Sequence, residues 1–233
     1  MRNQPEQQAP PVQRLRIQYA KRGPLRFASH RDFSRAFERA VVRARVPMAY
    51  SSGFNPHPRI SYAGAAPTGA ASEAEYLEIA LAERTDPGWV GEVLATALPD
   101  GLDVVRVVES PGGALADQLT GSRWRLDLDC SPQESAAAAD QFLAAETVLV
   151  QRMTKKGMRE FDARVAVMSL TVAAWPGGST LDLLLRHTEP AVRPDDVLAA
   201  LSRVAGLTPS APPLLTRLEQ GLLGADGLQD PLA

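Results

Sequence analysis

Apolar and polar residues alternate from Arg14 to Tyr19, and that period of two predicts a strand. A turn at Gly23–Pro24 and a short strand LRF follow. The period then changes. Phe33, Ala36, Phe37, Ala40, Val41 and Ala44 recur at helical spacing and predict an amphipathic helix over His30–Arg45. Ser29 stands at its N-cap position with Asp32 three residues on, and Val46–Pro47 ends it, because a residue before proline disfavours the α region. A long loop follows with one short strand at Arg59–Ala63. Next come a strand at Glu75–Ala82, a helix from Pro87 to about Leu98 and a strand at Asp103–Val108. The order β-α-β-β-α-β is the ferredoxin-like pattern.

The second half repeats this rhythm. Strand Arg123–Asp129 leads to an alanine-rich helix, Pro132–Ala145, capped by Ser131. Thr147–Arg152 and Arg159–Ala163 read as a hairpin turning at Lys155–Gly157. Strands Val165–Ala174 and Thr180–Arg186, a helix Pro194–Val204 and a last strand Leu214–Leu218 complete the set. The expected fold is α+β: two tandem ferredoxin-like domains with antiparallel sheets. We expect a disordered lead over 1–12, the first domain over 13–110, a linker over 111–122, the second domain over 123–220 and a flexible tail over 221–233.

Composition narrows the class. At 45% hydrophobic residues in 233, the chain is globular in type, and its apolar runs fall short of the ~18 residues a membrane span needs. The polar start has no signal-peptide core, and the lone Cys130 allows no intramolecular disulfide and no cysteine-based cluster. A cytoplasmic protein without a metal or other cofactor is expected. Its net charge of −2 hides an asymmetry: residues 1–70 hold 12 Arg or Lys against three acidic residues, a net of +9, and the rest hold 13 against 24, a net of −11. Such a segregation points to an anionic partner at one end.

The basic charge has a pattern. Arg31, Arg35, Arg39 and Arg43 recur every four residues along one side of the predicted helix, interrupted only by Asp32 and Glu38. Like charges at that spacing repel by a few tenths of a kcal/mol per pair, and an anionic ligand is the natural reason to keep them. The plainer alternative is a solvated face whose arginine stems cover apolar surface. Just beyond lies GFNPHPRIS. Pro56 and Pro58 hold Asn55 and His57 extended, and Gly53 permits the turn before them. Displayed together, Phe54, Asn55, His57 and Arg59 suit RNA: a ring to stack, polar groups for base edges, a guanidinium for phosphate. A loop whose Phe54 fills the core explains the same residues. Arg26 before the helix and Lys155 and Lys156 at the hairpin tip extend the candidate RNA contacts.

Catalytic readings are thinner. His30 and His57 near a basic face form a candidate acid–base pair for RNA cleavage, against which His30 sits where capping or packing explains a histidine. His30, His57 and His187 have no metal-ligand spacing, and Glu73, Glu75 and Glu78 read as a strand face.

The run from Arg26 to Ile79 resembles the radical SAM-linked family of uncharacterised bacterial proteins. The likeness rests on G-x-LRF-x-SH-x-D (Gly23 to Asp32), ERA-x-x-RA (Glu38 to Ala44), GF-x-PHP-x-I (Gly53 to Ile60), Gly69, Ser72, Glu75–Tyr76, R-x-x-K-G (Arg152 to Gly157) and VRPDDVL. It covers about residues 13–220. It implies a module that stands behind a B12-binding-type radical SAM enzyme or acts as a separate chain. This chain lacks the three cysteines of a radical SAM cluster and any cobalamin-type D-x-H-x-x-G stretch, so it corresponds to the separate module. The resemblance implies RNA metabolism, with a separate radical SAM protein or a ribonuclease E/G-type enzyme as partner. Two classes of function follow: an RNA-binding accessory protein that presents ribosomal or transfer RNA to an enzyme, or an enzyme or enzyme subunit. The latter is either a metal-independent RNA nuclease or the substrate-handling part of a radical SAM system.

Overall fold

The first alternating run forms strand β1 (Gln13–Lys21) in the computed structural model, which describes residues 7–154 and 157–233. Helix α1 (His30–Arg43), β2 (Ile60–Ala63), β3 (Ala71–Leu81), α2 (Pro87–Ala97) and β4 (Leu102–Glu109) follow. All strand pairs among these are antiparallel: β1 lies between β3 and β4, and β2 pairs with β3. One face of the sheet supplies Leu15, Ile17 and Tyr19 from β1 with Leu77, Ile79 and Leu81 from β3. Phe33, Phe37, Ala40 and Val41 of α1 pack on that face beside Val90 and Leu94 of α2, and Tyr19 stacks on Phe33 with ring centroids 4.4 Å apart. Each fully buried Leu, Ile or Phe contributes roughly 1.5–3 kcal/mol, which orients α1 with its arginines outward.

These elements belong to one compact unit, which takes in the residues up to Gln118 and Pro231–Ala233; the other unit is Leu119–Asp230. The second contains β5 (Gly121–Leu128), α3 (Pro132–Ala144), β6 (Leu149–Thr154), β7 (Gly157–Asp162), β8 (Val167–Trp175), β9 (Gly178–Arg186), α4 (Pro194–Ala205), β10 (Leu214–Gly224) and β11 (Gly227–Gln229). Here β5 lies between β9 and β10, β8 pairs with β9, and β11 with β10, again antiparallel. Among the described residues, strands β6 and β7 pair only with each other.

The expectation of two tandem ferredoxin-like domains is overturned. Nine strands are counted in one sheet and two in a second, beside four α-helices among the described residues. Alternation marks which residues are strands. The backbone N–H and C=O groups that every strand offers alike decide how many strands one sheet takes up, and they leave no mark in the pattern.

Smaller expectations change too. LRF is part of a 3-10 turn, Gly23–Phe27, in which Gly23 takes φ 54° and Pro24 has its φ fixed by its ring. Within the expected linker, where the sequence leaves room for one short helix, Leu115–Gln118 forms a 3-10 turn, and Gly121 opens β5. The segment expected as a flexible tail, 221–233, is structured instead: it completes β10, forms β11 and buries Leu232. Strand β10 runs through polar Glu219–Gln220 because a register shift between Arg217 and Glu219 lets Arg217 and Gln220 face each other. Arg217 Nη1 donates to Gln220 Oε1 at 2.6 Å. Of the expected disordered lead, residues 1–6 lie outside the described residues. Val12 N–H donates to Leu81 O at 2.9 Å. No helix among the described residues is long and apolar enough to cross a membrane.

Candidate nucleic-acid interface

Helix α1 is closed at both ends by its own sequence. The Ser29 hydroxyl accepts the Asp32 N–H and donates to the Asp32 carboxylate at 2.6 Å. That bond first, and the nearby Arg35 and Arg31 after it, hold the Asp32 carboxyl below the usual range. At the far end, Val46 N–H reaches Val41 O and Arg45 N–H reaches Val42 O, the Schellman pattern. The residue that turns the chain there is Arg45, at φ 54°. Glycine usually takes that left-handed position, and a side chain there costs about 1 kcal/mol.

Arg31, Arg35, Arg39 and Arg43 are all exposed. One rise of four residues separates each from the next, about 6 Å along the axis. No carboxylate among the described residues forms an ion pair with Arg31, Arg35 or Arg39, and Arg43 donates one N–H to Ala97 O at the end of α2. Among the other arginines of this unit, Arg14 and Arg16 bind Glu78, Arg22 binds Glu73 and Asp103, and Arg84 binds Glu109, whereas Arg26, Arg45 and Arg59 form no ion pair among the described residues.

The proline-bearing loop is braced at its base. Tyr50 bridges Pro58, Ser51 N–H donates to His57 O, and His57 N–H donates to Ser51 Oγ at 3.0 Å. Arg59 N–H donates to Ala49 O, and its side-chain Nε to Tyr50 O at 3.0 Å, so Arg59 spends part of its guanidinium on the brace. Gly53 takes φ 132°. Phe54 is 72% exposed and Asn55 and His57 are exposed, which excludes the reading in which Phe54 fills the core. The base of this loop adjoins the helix: Arg35, Glu38, Arg39, Val42 and Arg43 line a groove of about 490 Å³ with Tyr50 and Pro58. Val42 and Tyr50 are lining residues that the sequence reading missed. The one available signal was Val42, an apolar residue outside the stripe that α1 buries.

The remaining candidates separate. The half-buried Arg26 lies over the ring of exposed Phe27, 4.6 Å from its centroid. His30 meets Tyr62 edge-on at 5.0 Å, and burial pushes the Tyr62 hydroxyl up to about 12. His57 makes no ring contact among the described residues, so no ring-to-ring contact joins the two histidines. His187 donates from Nδ1 to Leu119 O at 2.7 Å and sits 3.0 Å from Ser122 Oγ, a local brace. The carboxylates of β3 serve the fold: Glu73 binds Arg22, Glu75 accepts from Ala66 N–H, and Glu78 binds Arg14 and Arg16. Lys155 and Lys156 lie outside the described residues. Arg152, at the same hairpin, binds Asp196 and Ala191 O. Among the described residues no group of three His, Cys, Asp or Glu is placed to hold a metal ion.

An exposed row of arginines thus adjoins a braced loop with a projecting aromatic. The family of uncharacterised proteins conserved in bacteria designated DUF2344 matches residues 14–194, and the chain belongs to it. No curated protein matches the chain.

Proposed function

We propose that this chain is an RNA-binding accessory protein of the cytoplasm that presents ribosomal or transfer RNA to a processing or modifying enzyme. The observation that carries this reading is the row Arg31, Arg35 and Arg39, three exposed arginines on one helix that form no ion pair among the described residues, with Asp32 the nearby carboxylate of Arg31 and Arg35. Planar guanidinium groups pair with phosphate through two parallel N–H donors. The resemblance to the radical SAM-linked group supports a separate radical SAM protein, or a ribonuclease E/G-type enzyme, as the one served.

Filter binding of the full chain to transfer RNA and to ribosomal RNA over a salt series tests the reading. Log affinity should fall linearly with log salt, by about 0.7–0.9 for each phosphate neutralised. Absence of binding at low salt would sink it, and degradation of the RNA by the pure chain would replace the accessory role by a nuclease.

Arg45 adds a test of opposite signs. Arg45→Gly relieves the left-handed side chain and should raise stability by up to ~1 kcal/mol in urea unfolding, less whatever glycine adds to the freedom of the unfolded chain. If the strain is kept for a phosphate contact, the same variant binds RNA more weakly with a shallower salt slope. Greater stability with unchanged binding would leave Arg45 outside the interface.

A further inference from the structure

We infer that the groove between α1 and the base of the proline-bearing loop receives an unpaired nucleobase, so that the ligand class is RNA with single-stranded or bulged nucleotides rather than a continuous duplex. This rests on the RNA-binding reading above. Phosphate recognition alone requires arginines on an open face. Here Arg35, Arg39 and Arg43 instead line one groove together with the apolar surface of Val42, 63% exposed, Tyr50, 36% exposed, and Pro58. Apolar surface among arginines gains free energy when a flat apolar ligand covers it, and a duplex presents only its backbone there. An unpaired base offers a flat face to the Tyr50 ring and to the guanidinium planes, while its own phosphates reach the arginines.

Glu38 sharpens the choice. It lines the same groove, and a carboxylate repels a phosphate backbone. It accepts hydrogen bonds, however, and an unpaired base frees the donors of its Watson–Crick edge, whereas the remaining N–H of a paired exocyclic amine lies in the deep, narrow major groove of an RNA duplex, which side chains do not read. An acidic protein segment fits less well. A docked amphipathic helix needs apolar anchors over several turns, and this groove supplies Val42, Tyr50 and Pro58 alone, with Glu38 set against an acidic partner. At about 490 Å³ the groove is within the range of small-ligand sites.

Fluorescence anisotropy on the full chain tests this with a labelled single-stranded RNA oligonucleotide, the same strand annealed to its complement, and polyglutamate as competitor. The single strand should bind more tightly than the duplex. Tyr50→Ala should weaken single-strand binding by about 5- to 150-fold, the range of one lost stacking contact, while leaving duplex binding and the salt slope unchanged. Tyr50→Phe should bind as the parent does, which separates stacking from damage to the loop. Equal binding of both forms, or equal loss of both in Tyr50→Ala, overturns the inference and leaves the RNA reading standing. Failure of the parent chain to bind either RNA removes the RNA reading itself. Preferential displacement of RNA by polyglutamate identifies an acidic protein as the partner and overturns the inference.

Discussion

Changing Arg35 and Arg39 together to Glu is expected to reduce the magnitude of the log–log salt slope of RNA binding by roughly 1.4–1.8, two phosphate contacts at about 0.7–0.9 each. Affinity should fall further than that loss alone requires, because two repulsive carboxylates replace two cations. Both positions are exposed and make no ion pair among the described residues, so the fold loses no salt bridge. Helix α1 should change little: the introduced carboxylates attract Arg31 and Arg43 one turn away, but the one at 35 repels Asp32 and Glu38, which Arg35 attracts, and each such pair is worth only a few tenths of a kcal/mol. Binding should therefore fall while stability stays nearly constant. Filter binding over a salt series, with helix content followed by circular dichroism, reads both. An unchanged slope with the helix intact would return the row to ordinary solvated surface.

Glu78→Ala should destabilise the chain by about 3–5 kcal/mol in urea unfolding, the usual cost of leaving a buried charge without its partner. Arg16 is 2% exposed. Its Nε lies 3.4 Å from Glu78 Oε2, and its Nη groups donate to Gly112 O, Gly113 O and Pro231 O at 2.7, 3.2 and 3.3 Å. Glu78 also accepts from Arg14 and from the Ser110 hydroxyl. Removing the carboxylate leaves two guanidinium groups and one hydroxyl without this acceptor. Removing both buried charges, Arg16→Met with Glu78→Leu, should recover part of the loss, since paired apolar side chains avoid the desolvation of either ion. A loss under about 1 kcal/mol for Glu78→Ala would mean that the backbone carbonyls alone hold Arg16.

Much of the local structure was legible because it depends on neighbours in sequence. The change from period two to helical period at His30, the Ser29–Asp32 cap and the stop before Pro47 all appear where the pattern placed them, although α1 ends at Arg43 rather than Arg45. The stiffness of the 53–59 loop was legible from its prolines, but its exposure was not. Phe54 has the composition of a core residue and of a stacking residue alike. The bonds between Ser51 and His57, with Arg59 on Tyr50 O, close the loop on itself and leave Phe54 outside. The groove was not legible at all, because Val42 and Tyr50 come together through the path of the intervening chain.

By itself, then, the sequence determined most helices and strands, though not the turn at LRF or the strand at 227–229, and it determined where α1 begins and which side of it carries arginine. Spacing and capping act over a few residues and need no partner from elsewhere. Tertiary structure alone decided what each arginine does. Arg16 and Arg35 are the same side chain in equally regular patterns, yet one is buried and the other faces water. Around Arg16, a carboxylate at 78 and carbonyls at 112, 113 and 231 converge from distant positions and replace the water it gives up. No carboxylate among the described residues closes on Arg35 as an ion partner, so its charge stays in solvent, where a ligand can reach it.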